Sequence, residues 1–157
     1  MLIYEIKNQM VRPMFNLDDC IAFITCKGAK DLADCLEKRL NHYNITRSQW
    51  IALYYIQNNN MITQKQLADK MSLKEPSVVR LIDKMEVFGW VNRINNNEDK
   101  RIKFLILTDD GKEIETAMLD VAEKFKSDVL MGISVEELDV FKSTLGKMLK
   151  NIDNGSK

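Results

Sequence analysis

Apolar positions return every three or four residues over most of this chain, the spacing of one face of an α-helix. The pattern predicts six helices. The first runs over about 17–42, with Leu17, Ile21, Ile24, Leu32, Leu36 and Leu40 on its stripe. The second covers about 46–58 with Trp50, Leu53, Tyr54 and Ile56. A short third covers 63–71 with Leu67, Ala68 and Met71, and a fourth covers 74–88. The fifth, about 108–131, aligns Ile114, Met118, Val121 and Phe125. The sixth, about 134–153, aligns Leu138, Phe141, Leu145, Met148 and Ile152, with the alternating steps of a coiled-coil seam.

Between the fourth and fifth helices the period changes. Gly89 stops the helix, strands are expected over 90–94 and 102–107, and the polar tip Asn95-Asn-Asn-Glu-Asp99-Lys-Arg101 joins them. Helix starts carry their own signals. Thr46-Arg-Ser-Gln49, Thr63-Gln-Lys-Gln66, Ser72-Leu-Lys-Glu75 and Ser134-Val-Glu-Glu137 all match the capping box, in which a hydroxyl and a Glu/Gln side chain each satisfy a backbone N–H. Pro76 lacks an N–H and therefore belongs in the first turn of the fourth helix. The expected fold is mainly α with a small β-hairpin wing: a winged helix-turn-helix lobe beside long helices. A helix sized for a DNA major groove, followed by a hairpin with a basic tip, predicts a DNA-binding lobe. The first, fifth and sixth helices carry more apolar stripe than so small a lobe can cover, so a second copy of the chain is expected against them. Three regions follow: 1–45 and 108–157 for dimerisation, and 46–107 for DNA.

The chain has 157 residues, with 23 basic and 23 acidic side chains. Zero net charge does not by itself suggest nucleic acid, but the distribution does. Residues 63–103 hold nine Lys or Arg against six Asp or Glu, whereas residues 108–140 hold three against ten. One face is thus offered to phosphate while the rest repels it. No apolar run approaches a membrane span, and the N-terminus does not read as a signal peptide, so a cytoplasmic location is expected. The three cysteines fall in one predicted helix, which suits buried thiols better than a disulfide framework. No phosphate-cradling glycine loop, nucleophile–base pair or convergent metal-ligand set is present; His42 is the only histidine. Neither an enzyme, a metal site nor a cofactor is expected.

Gln66-Leu-Ala, Pro76-Ser-Val-Val-Arg80-Leu-Ile-Asp, Gly89-Trp-Val-Asn-Arg93, Asp99-Lys-Arg101 and Leu107-Thr-Asp-Asp-Gly111, in this order, resemble the MarR family of bacterial transcriptional regulators, and within it the SlyA-like branch. The resemblance covers about 17–153. It implies a homodimer on a pseudo-palindromic double-stranded DNA operator, acting as a repressor or anti-silencer and answering to a small aromatic or anionic effector.

In the recognition helix the exposed positions are Lys74, Glu75, Ser77 and Arg80, with Val78, Leu81, Ile82 and Met85 expected in the core. Arg80 is assigned to a base, because guanidinium pairs with guanine O6 and N7 through two parallel hydrogen bonds. Ser77 and Lys74 are assigned to phosphate. The resemblance places Arg101 in the minor groove with Lys100 at phosphate, and has Asp99 pair with Arg93 to hold the wing. It also suggests Phe23, Cys26, Trp50 and Tyr54 as an effector lining, although core packing explains each of them as well. Two alternatives accompany this reading: thiol sensing through Cys20 or Cys26, and a winged helix that binds protein instead of DNA.

Overall fold

The computed structural model describes residues 15–59, 61–96, 99 and 102–155. Among them are six α-helices and three short strands. Helix α1 (Ile21–Asn41) follows a single 3-10 turn at Leu17–Asp19. The helix expected from residue 17 is therefore broken at Cys20, whose backbone is extended. Asn16 caps the 3-10 turn by accepting from the Asp18 N–H at 3.0 Å, a local bond that competes with helix propagation.

Helices α2 (Arg47–Gln57) and α3 (Gln64–Met71) begin at the complete capping boxes of Thr46 with Gln49 and Thr63 with Gln66. Helix α6 (Val135–Gly155) begins at the same reciprocal pair: the Ser134 N–H donates to Glu137 at 2.8 Å, and the Glu137 N–H donates to Ser134 Oγ at 3.1 Å.

The fourth expected box does not form. Ser72 closes α3 in a left-handed conformation (φ 53°), its N–H turned back to the carbonyls of Ala68 and Asp69. Helix α4 (Glu75–Val87) starts instead from an extended Lys74 without a side-chain cap, with Pro76 in its first turn. The last carbonyls of one helix outcompeted the first amides of the next for the same serine.

Strands β2 (Val91–Asn95) and β3 (Lys103–Leu107) form the expected antiparallel hairpin, with Val91 opposite Leu107 and Asn95 opposite Lys103. A two-residue strand, β1 (Ile62–Thr63), pairs antiparallel with the other edge of β3, giving the order β1-β3-β2. Gly89, at φ +74°, carries the chain from α4 into β2, where a side chain would strain the backbone. Thr108 then ties the hairpin to helix α5 (Asp109–Val129). Its hydroxyl donates to the Gly89 carbonyl at 2.6 Å and accepts from the Gly111 N–H at 3.0 Å. Gly111 is required for space: a Cβ there would lie 2.1 Å from the Trp90 carbonyl oxygen.

One core lies under α4. Leu40, Ile45, Leu53, Leu67, Val78, Ile82, Met85, Val91 and Leu105 are fully buried, each large apolar side chain stabilising the lobe by roughly 1.5–3 kcal/mol. Leu81, expected with them, is half-buried and faces the outer cleft described below. Helix α6 differs throughout: none of its described side chains is buried.

Candidate nucleic-acid interface

The outward face of α4 is set by what its inward face buries. Val78, Ile82 and Met85 are at 0% exposure, which leaves Lys74, Glu75, Ser77, Arg80 and Lys84 in solvent. A cleft of about 340 Å³ runs along this face, lined by Ser48 of α2, Leu73, Ser77, Arg80, Leu81 and Lys84. Ser77 and Arg80 are thus brought together, and two residues not singled out from the sequence join them. Lys84 was discoverable, since it sits seven residues past Ser77 and one turn past Arg80, on the same side of a helix. Ser48 was not, because only the packing of α2 on α4 places it there. A second cleft, between the starts of α3 and α4 and the root of the wing, is lined by Thr63, Gln64, Lys65, Glu75, Ile102 and Lys103.

Arg93 on β2 is the most heavily bonded side chain of the site. Its Nε donates to Gln64 Oε1 at 2.6 Å, and its terminal nitrogens pair with Asp83 at 2.7 Å and with Glu86, one of them also lying 3.5 Å from the Val79 carbonyl. The resemblance has Arg93 pair with Asp99 to hold the wing. The contacts of Arg93 fasten β2 to α3 and to the recognition helix, and they neutralise both carboxylates in the C-terminal half of α4. Only 16% of the Arg93 side chain is exposed, so the pairs are partly shielded from solvent screening.

At the tip, the Asp99 carbonyl accepts from the Ile102 N–H and the Asn96 N–H donates to the Ile102 carbonyl, both at 3.0 Å. Arg101, expected in the minor groove, and Lys100, expected at phosphate, lie outside the described residues.

The four suggested effector residues occupy two settings. Trp50 and Tyr54 are neighbours on α2, ring centroids 6.2 Å apart, and the Trp50 Nε1 is buried without a hydrogen-bond partner among the described residues. Phe23 and Cys26 are exposed on the first half of α1. A larger cleft, about 520 Å³, opens between the end of α1 and α5, lined by Arg39, His42, Tyr43, Val121, Lys124 and Asp128. Arg39 in its wall pairs with Asp128 at 2.8 Å and lies over the Phe125 ring. On α5, Glu115 is 3% exposed with an unpartnered Oε1, and burial pushes its carboxyl above the usual carboxylate range.

With this geometry, the comparisons with known proteins agree. The model of the MarR family matches residues 45–103, from the start of the lobe into β3. The crystal structure of transcriptional regulator PA3341 is similar at 26% identity and a TM-score of 0.77, over 86% of this chain and 99% of that one. The lobe formed by residues 45–103 thus matches the MarR family.

Two further structures share the fold with this chain. The MepR–DNA complex of S. aureus is 22% identical, with a TM-score of 0.78 over 84% of this chain and 98% of that one. CouR from Rhodococcus jostii RHA1, bound to p-coumaroyl-CoA, is 20% identical, with a TM-score of 0.76 over 85% and 94%. Among the described residues no helix is long and apolar enough to cross a membrane.

Proposed function

We propose that this chain is a cytoplasmic, sequence-specific DNA-binding transcriptional regulator. It acts as a homodimer on a pseudo-palindromic operator, through recognition rather than catalysis. The observation that carries the reading is the two-sided α4, with Val78, Ile82 and Met85 sealed in the core while Ser77 and Arg80 face outward. Arg80 reads a base, Ser77 and Lys74 hold phosphate, and Lys100 and Arg101 serve the wing. Residues 46–107 form the DNA lobe, and 1–45 and 108–157 form the dimer. The exposed apolar side chains Ile21, Phe23, Ile24 and Leu32 of α1, with Phe141, Leu149 and Ile152 of α6, support that division. A small aromatic or anionic effector sets operator affinity by binding one spacing of the two recognition helices better than the other. The ligand held by the similar CouR supports this element of the reading.

The test is selection from a random duplex library with wild type and Arg80→Ala in parallel. The expected result is an inverted repeat that Arg80→Ala blurs at one base per half-site, at a cost of about 1–3 kcal/mol. Absence of any enriched sequence would remove the DNA reading. A repeat insensitive to Arg80→Ala would move base readout to another residue.

A further inference from the structure

We propose that Lys84 and Ser48 form a seat for a DNA backbone phosphate, on the α2 side of the recognition helix. The inference rests on the DNA-binding reading and adds a contact that the reading lacks.

The charge of the cleft points to an anion. Arg80 and Lys84 bring two cations, and none of the described lining residues is acidic. Each of the other described clefts includes a carboxylate: Asp128, Asp83 or Glu75. Asp83 and Glu86, the acids closest in sequence to Lys84, are held by Arg93 on β2. Lys84 itself enters no ion pair among the described residues, so its ammonium is available to a ligand.

The second wall supplies neutral donors. Ser48 brings a hydroxyl to the cleft. Its N–H is also unclaimed among the described residues, whereas the Arg47 N–H donates to Glu37 at 2.8 Å and the Gln49 N–H to Thr46. Leu73 and Leu81 give the cleft apolar walls, which suit the deoxyribose beside a phosphodiester. Lys84 lies four residues beyond Arg80, about 6 Å along the helix axis. The guanidinium can therefore reach a base edge while the ammonium stays on the flanking backbone. Phosphate contacts of this kind set register and orientation without reading sequence.

The experiment measures affinity against salt for wild type, Lys84→Gln, Lys84→Arg and Ser48→Ala, on the selected operator and on a random duplex, with thermal midpoints to verify folding. Lys84→Gln is expected to make the log–log salt slope shallower by about 0.9, and to weaken operator and random duplex by the same factor. Lys84→Arg restores the wild-type slope. Ser48→Ala weakens binding about threefold with the slope unchanged.

A wild type that binds DNA while Lys84→Gln keeps its slope would overturn the seat and leave the DNA reading standing. A loss confined to the operator would place Lys84 in base readout and likewise overturn it. Unchanged affinity in Ser48→Ala would remove Ser48 from the seat. Inorganic phosphate that displaces the operator more strongly than chloride at equal ionic strength, from wild type but not from Lys84→Gln, would assign the cleft to a free anion. Absence of binding by wild type to any duplex would remove the DNA reading and the seat together.

Discussion

The winged lobe and the C-terminal arm use the same helical pattern of apolar residues but bury it very differently. In α4, Val78, Ile82 and Met85 repeat at helical spacing and are completely buried. In α6, Phe141, Leu149 and Ile152 also fall on one helical face and remain 59%, 56% and 65% exposed. The period alone therefore specifies a face without specifying what covers it. The lobe answers its own pattern because α2, α3, α4 and the sheet close around one interior. The arm projects from it with no described partner, and an apolar stripe of that length in water favours association. Helix α5 joins the two, with Met118 in the shared core and the acidic Glu115 buried one turn before it.

The largest expected effect separates the two regions directly. Leu53→Ala should destabilise the protein by about 2–5 kcal/mol at any protein concentration, through lost burial and the cavity left behind. Phe141→Ala should lower stability only through weakened association, so that its deficit in urea midpoint relative to wild type shrinks as the protein is diluted and the wild type itself dissociates. Unfolding at two concentrations, together with sedimentation, distinguishes the two variants. A Phe141→Ala loss independent of concentration would mean that α6 packs within its own chain.

Next in size is the clamp on the recognition helix. Arg93→Ala leaves Asp83, Glu86 and Gln64 without their shared partner and should cost about 1–3 kcal/mol of stability. It should also weaken DNA binding beyond that loss, because two carboxylates on α4 become uncompensated. The double variant carrying Asp83→Asn and Glu86→Gln beside Arg93→Ala should recover part of the affinity, measured at fixed salt. An equal loss in the single and the multiple variants would assign Arg93 a purely structural role.

Helix caps give a smaller contrast. Thr63→Ala should cost about 1 kcal/mol through the lost capping box. Ser72→Gly should be neutral or slightly stabilising, because Ser72 caps nothing at α4 and its backbone is left-handed. A loss at Ser72→Gly equal to that of Thr63→Ala, by thermal denaturation, would contradict the observed start of α4.

The last prediction concerns the joint between the regions and is resolved by pH. Glu115 has its carboxyl raised by burial, so the folded state holds the proton more tightly than the unfolded chain does. Its favourable contribution is therefore present below the unfolded value and is lost as pH rises through the folded one. Glu115→Gln should gain stability relative to wild type as pH increases from about 4 to 7, with little difference at the acid end. A pH-independent difference would show that the carboxyl is not buried in solution.

The sequence by itself determined what depends on neighbours a few residues away. Helical periods, the boxes at Thr46, Thr63 and Ser134, the stop at Gly89 and the hairpin between them are all settled by contacts within one turn or one loop, so composition and spacing suffice. Even there, Ser72 shows that two adjacent helix ends can compete for the backbone conformation of one residue, and only the folded chain reveals which end wins. Outside that range the pattern was silent. Strand β1 exists because Ile62 meets Leu105, Arg93 is clamped by side chains from α3 and α4, and Ser48 faces Lys84 across a cleft between two helices. Glu115 carries no signal of burial, since an acid in a helix is ordinarily solvated and only the packing of α5 withdraws it from water. Each of these features depends on where distant segments come to lie. That is decided by how the whole core closes, because the free energy of burial rewards covering an apolar face without specifying which polar neighbours are brought along.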